Sequence, residues 1–266
     1  VQCPCILLQL IATGKPLSTA GMMIEDRTRT YTIAMERTVV PENFSFRMTD
    51  EEYRVLEKIK NSIPVCYLAD HADFALGIVT GNNKKFLSTE KTEHSEMVLK
   101  GTDICKYHIN PAKQYLRFEP EQFQQVAPLE IYRAPEKLLY RFISNQLVVA
   151  YDDRQMLSLN SCNIVIPKIE GMQIKYILAI LNSSVSQFVY QKEFHSIKVL
   201  RAHMEHIPIP RVGKAIQNEI IAMTEPLICG MGKEAAETCQ KRLDCRIMDL
   251  FRLSAEEQWI IRHALH

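Results

Sequence analysis

Apolar residues recur at intervals of three and four in two stretches of the chain, which is the spacing of one face of an α-helix. The longer stretch predicts a helix over residues 173–191. Its apolar stripe consists of Ile174, Ile177, Leu178, Leu181, Val185, Phe188 and Val189. The shorter stretch predicts a helix over residues 50–61, where Thr49 and Glu52 have the spacing of a capping box.

Short runs of β-branched and aromatic residues, bounded by turn residues, predict strands elsewhere. We expect strands at residues 5–12, 22–24, 30–35, 74–80, 85–87, 107–109, 115–118, 147–151 and 163–166. Residues 77–86 have the pattern of a hairpin, because Gly81, Asn82 and Asn83 favour a turn. Residues 198–209 are expected to form a strand pair at a sheet edge, since the proline at 208 cannot donate to a neighbouring strand.

The last part of the chain has a helical pattern. Helices are expected at residues 214–228, at residues 233–251 and after Ser254, which forms a second capping-box pattern with Glu257. Gly230 separates the first two of these helices.

These elements predict an α+β fold, with a twisted mixed β-sheet against which helices pack and a helical C-terminal segment. We expect residues 46–212 to form the main domain and residues 213–266 to form the C-terminal segment. Residues 1–45 contain strands too few to be stable alone and are interpreted as the remnant of a preceding domain. Since the chain begins at Val1 and soon enters an apolar run, we expect it to be part of a longer polypeptide.

Composition narrows the class of protein. The apolar content of 47% is enough for a substantial core, and the formal net charge is only +1. Residues 81–201 carry 16 Lys or Arg against 12 Asp or Glu, a mild cationic bias that permits nucleic-acid binding. No apolar run approaches the roughly 18 residues of a membrane span, so no membrane partner is expected.

The chain has 8 cysteines, and none of them form a CxxC pair. A chain of this length does not need disulfides for stability, so we expect reduced thiols and a cytoplasmic location.

Several catalytic patterns are absent from the sequence. A common type of metal-dependent nuclease needs an acidic residue two positions before a lysine, and no such triplet occurs. An amino-methyltransferase needs an Asn/Asp-Pro-Pro-Tyr/Phe loop, whereas Asn110-Pro111 is followed by Ala112. Gly230-Met231-Gly232 lacks the following βαβ unit of a nucleotide loop and is interpreted as a helix break. No catalytic residue is expected in this chain.

Two other pairs are better explained by structure than by chemistry. His203 and His206 have the spacing of a metal pair, but a zinc site needs three or four convergent ligands and no metal site is predicted. Asp152 and Asp153 would point to opposite faces of a strand, so a turn with Arg154 is expected instead of an acid/base pair.

Amide and basic side chains in predicted turns suggest contacts with a polymer. Asn can bond adenine in two places, Arg or Lys can do the same for guanine, and phosphates accept from any donor. The candidate DNA-binding residues are Asn82, Asn83, Lys84, Lys85, Lys100, Arg141, Arg154, Asn160, Lys198 and Arg201. The alternative is that turns favour Asn for backbone reasons and that these lysines are simply solvated.

An ordered series of segments resembles the TaqI-like C-terminal specificity domain, the target-recognition region of type IIG restriction-modification enzymes and related adenine-N6 DNA methyltransferases. The matching segments are GIVTGNN (77–83), LKGTDI (99–104), KLLYRF (137–142), AYDD (150–153), LNS (159–161), YILAILNS (176–183), SIKVLR (196–201) and IPIP (207–210). Residues 247–257 also look like the closing helix and turn of such enzymes. Residues 228–232 depart from the family, whose members usually continue a helix there.

The resemblance implies a division of labour within a longer enzyme. This chain would bind double-stranded DNA and choose the site, and it would need no cofactor of its own. A methyltransferase domain of the same polypeptide, with residues 1–45 as its last strands, would carry S-adenosylmethionine and flip the target adenine. Mg²⁺ is implied where the parent also cleaves DNA.

Two other functions remain open at this point. The chain could be part of an enzyme that retains activity through residues other than those considered above. It could also be a protein-interaction scaffold that binds a partner subunit through its C-terminal helices, whose apolar face would consist of Leu243, Ile247, Leu250 and Phe251.

Overall fold

The computed structural model describes residues 19–25, 29–37, 47–194 and 196–265. The chain divides into two units, of which the first ends at Glu51 and the second begins at Glu52. The strand predicted at residues 5–12 lies outside the described residues. The division into three domains at residues 45 and 212 stays a prediction.

The first unit contains a β-hairpin. Strands β1 (Met22–Glu25) and β2 (Thr30–Ile33) pair in antiparallel fashion, which confirms the two strands predicted here. After β2 the side chain of Arg37 is buried and forms a 2.8 Å ion pair with Asp50. A guanidinium removed from water needs such a partner.

The second unit contains the remaining elements. The helices are α1 (Asp50–Asn61, which begins two residues before the division), α2 (Asn83–Phe86), α3 (Leu129–Tyr132), α4 (Ile174–Asn182), α5 (Ser184–Glu193), α6 (Arg201–Glu205), α7 (Lys214–Cys229), α8 (Lys233–Leu250) and α9 (Ala255–Ala264). The strands are β3 (Val65–Cys66), β4 (Ala72–Ala75), β5 (Leu87–Ser88), β6 (Glu96–Leu99), β7 (Tyr115–Leu116), β8 (Lys137–Arg141), β9 (Val149–Asp152), β10 (Leu157–Ser158), β11 (Cys162–Pro167) and β12 (Ile209–Pro210).

Two four-stranded sheets and a short strand pair organise this unit. One sheet is antiparallel throughout and has the order β4-β11-β8-β9. The other has the order β10-β6-β7-β5 and is mixed, because β10 runs parallel to β6 while the remaining pairs are antiparallel. Strand β12 pairs with β3. The predicted α+β class is confirmed.

The main core lies where side chains from both four-stranded sheets meet. Leu139, Ala150 and Ile164 point into it from the antiparallel sheet. Val98 and Leu116 point into it from the mixed sheet. All five side chains are fully buried, so each removes its apolar surface from water.

The other face of the antiparallel sheet is covered by α4, which also contacts α7. Because α4 has neighbours on both sides, its residues from Tyr176 to Asn182 are all buried. A helix enclosed in this way is apolar around its whole circumference rather than along one stripe.

The single helix predicted over residues 173–191 is in fact two helices, α4 and α5, with a break at Ser183. The backbone of Ser183 is extended, and its hydroxyl accepts the N–H of Ser186 to cap α5. The side chain of Asn182 bonds both the N–H and the C=O of Val149 in β9. The break therefore places Asn182 and Ser183 where their side chains bond backbone groups of β9 and α5. The apolar periodicity of the sequence does not reveal these hydrogen bonds.

The hairpin predicted over residues 77–86 and the strand at 85–87 are wrong. Asn82 accepts the N–H of Lys85 through its side chain and starts the helical turn α2 instead. Asn caps helices as readily as it enters hairpin turns, so the residue type alone did not decide between them. The strand predicted at 74–80 ends at Ala75, where β4 stops pairing with β11.

The strand pair predicted over residues 198–209 is also wrong. Residues 201–205 form helix α6, and Ile209 pairs with Cys66 in β3. Apart from Ile209, strand pairing in this range occurs at Lys198, which forms an isolated bridge with Ile143. At residues 107–109 the predicted strand is replaced by isolated bridges, and Tyr107 has a φ of 75°.

The helices of the C-terminal segment agree with the sequence prediction. Helices α7 and α8 are separated by residues 230–232, and the hydroxyl of Ser254 accepts the N–H of Glu257 at the start of α9. Asp244 in α8 accepts two hydrogen bonds from Ser184, its backbone N–H at 2.8 Å and its hydroxyl at 2.7 Å. Among the helices described, none combines the length and apolar character needed to cross a bilayer.

A buried ion pair closes the end of the β8–β9 hairpin that is opposite its loop. Nζ of Lys137 lies 2.6 Å from Oδ2 of Asp152, and both side chains are fully buried. Burial lowers the pKa of Lys137, and the carboxylate of Asp152 opposes that shift. Asp152 also accepts the N–H groups of Arg154 and Met156, so the predicted turn role of this carboxylate is confirmed.

Residues 157–163 cross between two glycines that contact them from opposite sides. Ile78 donates to the carbonyl of Ser158, and Asn160 donates to the carbonyl of Ile78. A Cβ atom on Gly77 would overlap the Leu159 carbonyl, and one on Gly101 would overlap the Ser161 carbonyl. Only glycine leaves room for backbone to approach backbone this closely. We refer to residues 157–163 as the crossing.

Replacing either of these glycines should destabilise the protein. We expect Gly77→Ser and Gly101→Ser each to lower the free energy of unfolding by about 3 kcal/mol, because the added Cβ meets backbone that cannot move without breaking the crossing. Urea unfolding followed by circular dichroism measures the change.

Gly213→Ser is the matched control, since a Cβ there meets nothing within 4 Å and serine is a favoured residue before a helix. Equal unfolding midpoints for all three variants would contradict the role assigned to the two glycines.

Candidate nucleic-acid interface

The loops at one end of the antiparallel sheet carry several of the predicted site residues. Strands β8 and β9 form a hairpin whose loop is residues 142–148. Strand β11 begins at the same end, because Cys162 pairs with Arg141. We call this the loop end of the sheet, and it comprises residues 142–148, residues 159–161 of the crossing, and the segments 99–101 and 196–201 that bond to them.

Lys100 and Asn160 lie on neighbouring segments at the loop end. The parallel pairing of β6 with β10 continues past both strands, with Leu159 donating to the Leu99 carbonyl at 2.8 Å. The backbone N–H of Gly101 then donates to the hydroxyl of Ser161 at 3.0 Å. The side chain of Asn160 is exposed and Lys100 is half-buried. The two residues are thus carried by backbone segments that bond to each other.

The side chain of Arg141 bonds to the segment that follows Lys100 and is therefore occupied by the protein itself. Its Nε donates to the carbonyl of Gly101 at 2.9 Å, and its Nη2 donates to the carbonyl of Ile104. The guanidinium therefore holds the loop after β6 against the end of β8. A DNA contact for Arg141 stays a prediction, but its observed contacts are those of a residue that maintains the loop end.

The loop of the β8–β9 hairpin pairs with a second segment. Ser144 donates to the Ile197 carbonyl at 3.0 Å, and Val199 donates to the Phe142 carbonyl at 2.8 Å. Residues 142–144 and 197–199 therefore form a short two-stranded antiparallel ribbon, which we call the ribbon. Lys198 is exposed on it, with Nζ 5.9 Å from the centroid of the Phe142 ring.

Arg201 follows the ribbon and lies against the antiparallel sheet. Its Nε lies 2.7 Å from Oε1 of Glu205, and its guanidinium carbon lies 5.3 Å from the centroid of the Phe74 ring. The side chain is nevertheless 61% exposed. Its partner Glu205 is only 16% exposed, so the guanidinium faces solvent while the carboxylate is mostly covered.

The turn at residues 80–86 presents the second group of predicted residues. The side-chain oxygen of Asn82 accepts the N–H of Lys85, and that of Asn83 accepts the hydroxyl of Thr80. Lys84 and Lys85 are exposed. Since both side-chain oxygens already accept bonds within the turn, the two amide nitrogens and the two ammonium groups are the donors that this turn offers to a ligand.

Arg154 is separated from the other candidates. It is exposed in the turn after β9, at the end of the β8–β9 hairpin opposite the loop end. Its backbone N–H caps Asp152. The structure therefore brings together Lys100, Arg141, Asn160 and Lys198, but not Arg154.

His203 and His206 do not converge on a common point. Nδ1 of His203 accepts the N–H of Leu200, and its ring stacks on Phe194 with centroids 4.6 Å apart. Burial lowers the pKa of His203, which favours the neutral acceptor form. His206 bonds the carbonyl of Ala202 at 2.6 Å. Within the described ranges no group of three or more potential metal ligands is found.

The structure also presents residues at the loop end that the sequence analysis missed. Ile143 and Ile197 are 63% and 68% exposed on the ribbon. Asn145 and Gln146 are exposed in the adjacent loop. The alternation within SIKVLR, in which buried Val199 lies between exposed Lys198 and Leu200, was the available signal for this exposure.

Comparison with protein families gives one match in this region. Residues 96–209 match the sequence model of the TaqI-like C-terminal specificity domain. The matched range contains β6 to β11 and the whole loop end. A comparison with curated proteins finds no match.

Comparison with solved structures gives partial alignments at low identity. They include the type IIL restriction-modification enzyme MmeI in complex with DNA, at 11% identity and a TM-score of 0.49 over 75% of this chain and 35% of that chain. The HsdS subunit from Thermoanaerobacter tengcongensis aligns at 13% identity and a TM-score of 0.39, over 81% of this chain and 50% of that chain. The type IIG restriction endonuclease BpuSI aligns at 11% identity and a TM-score of 0.42, over 76% of this chain and 33% of that chain. This chain therefore spans half or less of these three structures.

Arg141 can be separated from the exposed cations by stability measurements. We expect Arg141→Ala to lower the free energy of unfolding by about 1.5–3 kcal/mol, because two backbone carbonyls lose a charged donor. Lys198→Ala and Arg154→Ala should stay within about 0.5 kcal/mol of the wild type, since both side chains are exposed. Urea unfolding measures all three variants, and an unchanged midpoint for Arg141→Ala would show that its contacts are dispensable.

Proposed function

We propose, from the membership of residues 96–209 in the TaqI-like C-terminal specificity domain family, that this chain is the sequence-specific DNA-recognition module of a restriction-modification enzyme. The family match is the observation that carries this proposal. It covers the region in which the crossing and the ribbon bring amide and basic side chains to one end of the sheet.

The chemistry of the loop end supports a DNA partner. Lys198 and Arg201 are exposed cations able to contact phosphates, which accept from any donor and fix the position of a protein on the duplex. Asn160 adds an exposed amide that can bond a base edge. Cations and amides at one end of a rigid sheet supply both kinds of contact that sequence recognition requires.

The proposal extends to a longer parent enzyme. In that enzyme a methyltransferase domain of the same polypeptide would bind S-adenosylmethionine and methylate adenine N6 at the site that this chain selects. Mg²⁺ would be required only by a parent that also cleaves DNA. A cytoplasmic location belongs to the same proposal, and it is supported by the described cysteines, all of which are free thiols as in a reducing compartment.

The structure weakens the alternative of a scaffold that binds a partner through the C-terminal helices. Leu243, Ile247 and Phe251 are fully buried within the chain. Leu250 is half-buried. The apolar face on which that alternative rested is therefore already covered by other parts of the same molecule.

DNA binding by this chain should depend steeply on salt. Each phosphate contact releases counterions, so the slope of log affinity against log salt becomes less steep by about one when a contacting cation is removed. We expect this change for Lys198→Ala and for Lys84→Ala. Fluorescence anisotropy with a labelled pool of random duplex DNA measures the slopes.

Lys233→Ala is the control, because Lys233 is also exposed but lies at the start of α8 and belongs to neither the loop end nor the α2 turn. Salt-independent binding by the wild type, or the same loss of slope in the control, would contradict a phosphate-binding role for the loop end and the α2 turn.

The division of labour with a methyltransferase domain has a direct test. We expect this chain alone to transfer no methyl group from S-adenosylmethionine to duplex DNA. A longer polypeptide, expressed with the coding sequence upstream of Val1, should methylate adenine N6. Methyl transfer is measured with a tritiated methyl donor. Transfer by this chain alone would overturn the division, and so would a longer polypeptide that binds DNA without methylating it.

A further inference from the structure

The ribbon exposes two isoleucines that the folded chain leaves uncovered. Ile143 is 63% exposed and Ile197 is 68% exposed, and the two segments that carry them are hydrogen-bonded to each other. Leu200, which follows the ribbon, is 42% exposed. The bridge places Ile143 opposite Lys198, so each strand of the ribbon presents one exposed isoleucine, and Ile143 lies directly beside a cation.

The backbone beneath these side chains is firmly held. Val199 is buried, and the hydroxyl of Tyr190 donates to the carbonyl of Ser196 at 2.9 Å. Phe142 donates to the carbonyl of Ser161 in the crossing at 3.0 Å. The two isoleucines are therefore presented in fixed positions, which sequence discrimination requires.

The surroundings of the ribbon fit an anionic partner. The ribbon and the hairpin loop at residues 142–148 contain no acidic residue and carry the exposed cation of Lys198, while Arg201 beside the ribbon is paired with Glu205. The exposed amides of Asn145 and Gln146 lie in the loop that continues from it. A partner that is negatively charged outside and carries apolar and polar groups inside a groove matches this arrangement. Duplex DNA has these properties.

We propose that Ile143 and Ile197 are specificity-determining residues that contact thymine 5-methyl groups in the major groove. The inference rests on the proposed DNA-recognition function and names the chemistry of the base contact. The major groove is about 12 Å wide and admits a two-stranded β-ribbon, whereas the minor groove is about half as wide. The thymine methyl is the apolar group that base pairs display in the major groove, so it is the base feature that an isoleucine can recognise.

The first experiment selects bound sequences from a random pool of duplex DNA, using the full chain. The wild type should enrich a sequence that contains thymine. Ile143→Ser and Ile197→Ser should lose the preference at one or two positions each and keep the wild-type affinity for unselected DNA. Trp259→Ser is the matched control, because Trp259 is 56% exposed in α9, outside the family match.

The second experiment replaces thymine by uracil in the selected duplex, which removes only the 5-methyl group. At the contacted positions the wild type should bind the uracil duplex about fourfold more weakly per methyl group. The corresponding isoleucine variant should bind the two duplexes equally. Ile197→Thr, which keeps the branched shape and loses part of the apolar surface, provides an intermediate case if a serine variant does not fold.

The outcomes separate the inference from the proposed function. A wild type that enriches no sequence overturns both. A wild type that enriches a sequence, with isoleucine variants that enrich the same one at equal affinity, overturns the inference alone. The inference is also overturned if a folded isoleucine variant loses binding to unselected DNA, or if uracil binds the wild type as well as thymine does.

Discussion

The close approach of the crossing to Gly77 and Gly101 is the constraint on which the loop end depends. Backbone of residues 157–163 meets backbone of both glycines, so no side chain separates the three segments. This contact fixes the backbone at Asn160 and holds the segment that carries Lys100 against it. It also places the Gly101 carbonyl within reach of Arg141. The geometry of the candidate interface therefore follows from a packing requirement and not from attraction among its polar residues.

Several basic residues of the chain are bound to groups of the protein itself, so the number of basic residues in the sequence does not give the charge of the surface. Lys137 is buried against Asp152, and Arg133 lies 2.6 Å from Glu96. Arg141 is bound to carbonyls. In each case the chain uses a cation to satisfy its own groups. For Asp152 and for the two carbonyls bonded by Arg141, loss of the cation would leave a buried polar group without a partner. Lys198 and Lys84, which have no such task, stay exposed to solvent.

The elements that the sequence predicted well are those decided by local signals. Helix α1 and the three C-terminal helices have capping-box sequences or glycines within one turn of their ends, and the bounds predicted for them agree to within about a residue. The predictions that fail concern elements whose structure depends on contacts with residues distant in the sequence. Ser183 interrupts a continuous apolar stripe because Asn182 bonds β9. Residues 201–205 form a helix because Ile209 pairs with β3 instead of with Lys198.

For the site, residue type identified the exposed cations and amides but could not distinguish Arg141 from Lys198. The guanidinium of Arg141 is bonded to two backbone carbonyls, whereas Lys198 is exposed to solvent. The position of those carbonyls depends on the crossing. The isoleucines were missed for a related reason, since an apolar residue in a strand pattern is expected to be buried. Only the three-dimensional structure, in which none of the described elements covers the ribbon, shows that these two side chains are exposed. A cation contributes affinity for any duplex, whereas a rigid apolar side chain favours particular bases. A module that selects a site needs both, and the ribbon carries them on the same two strands.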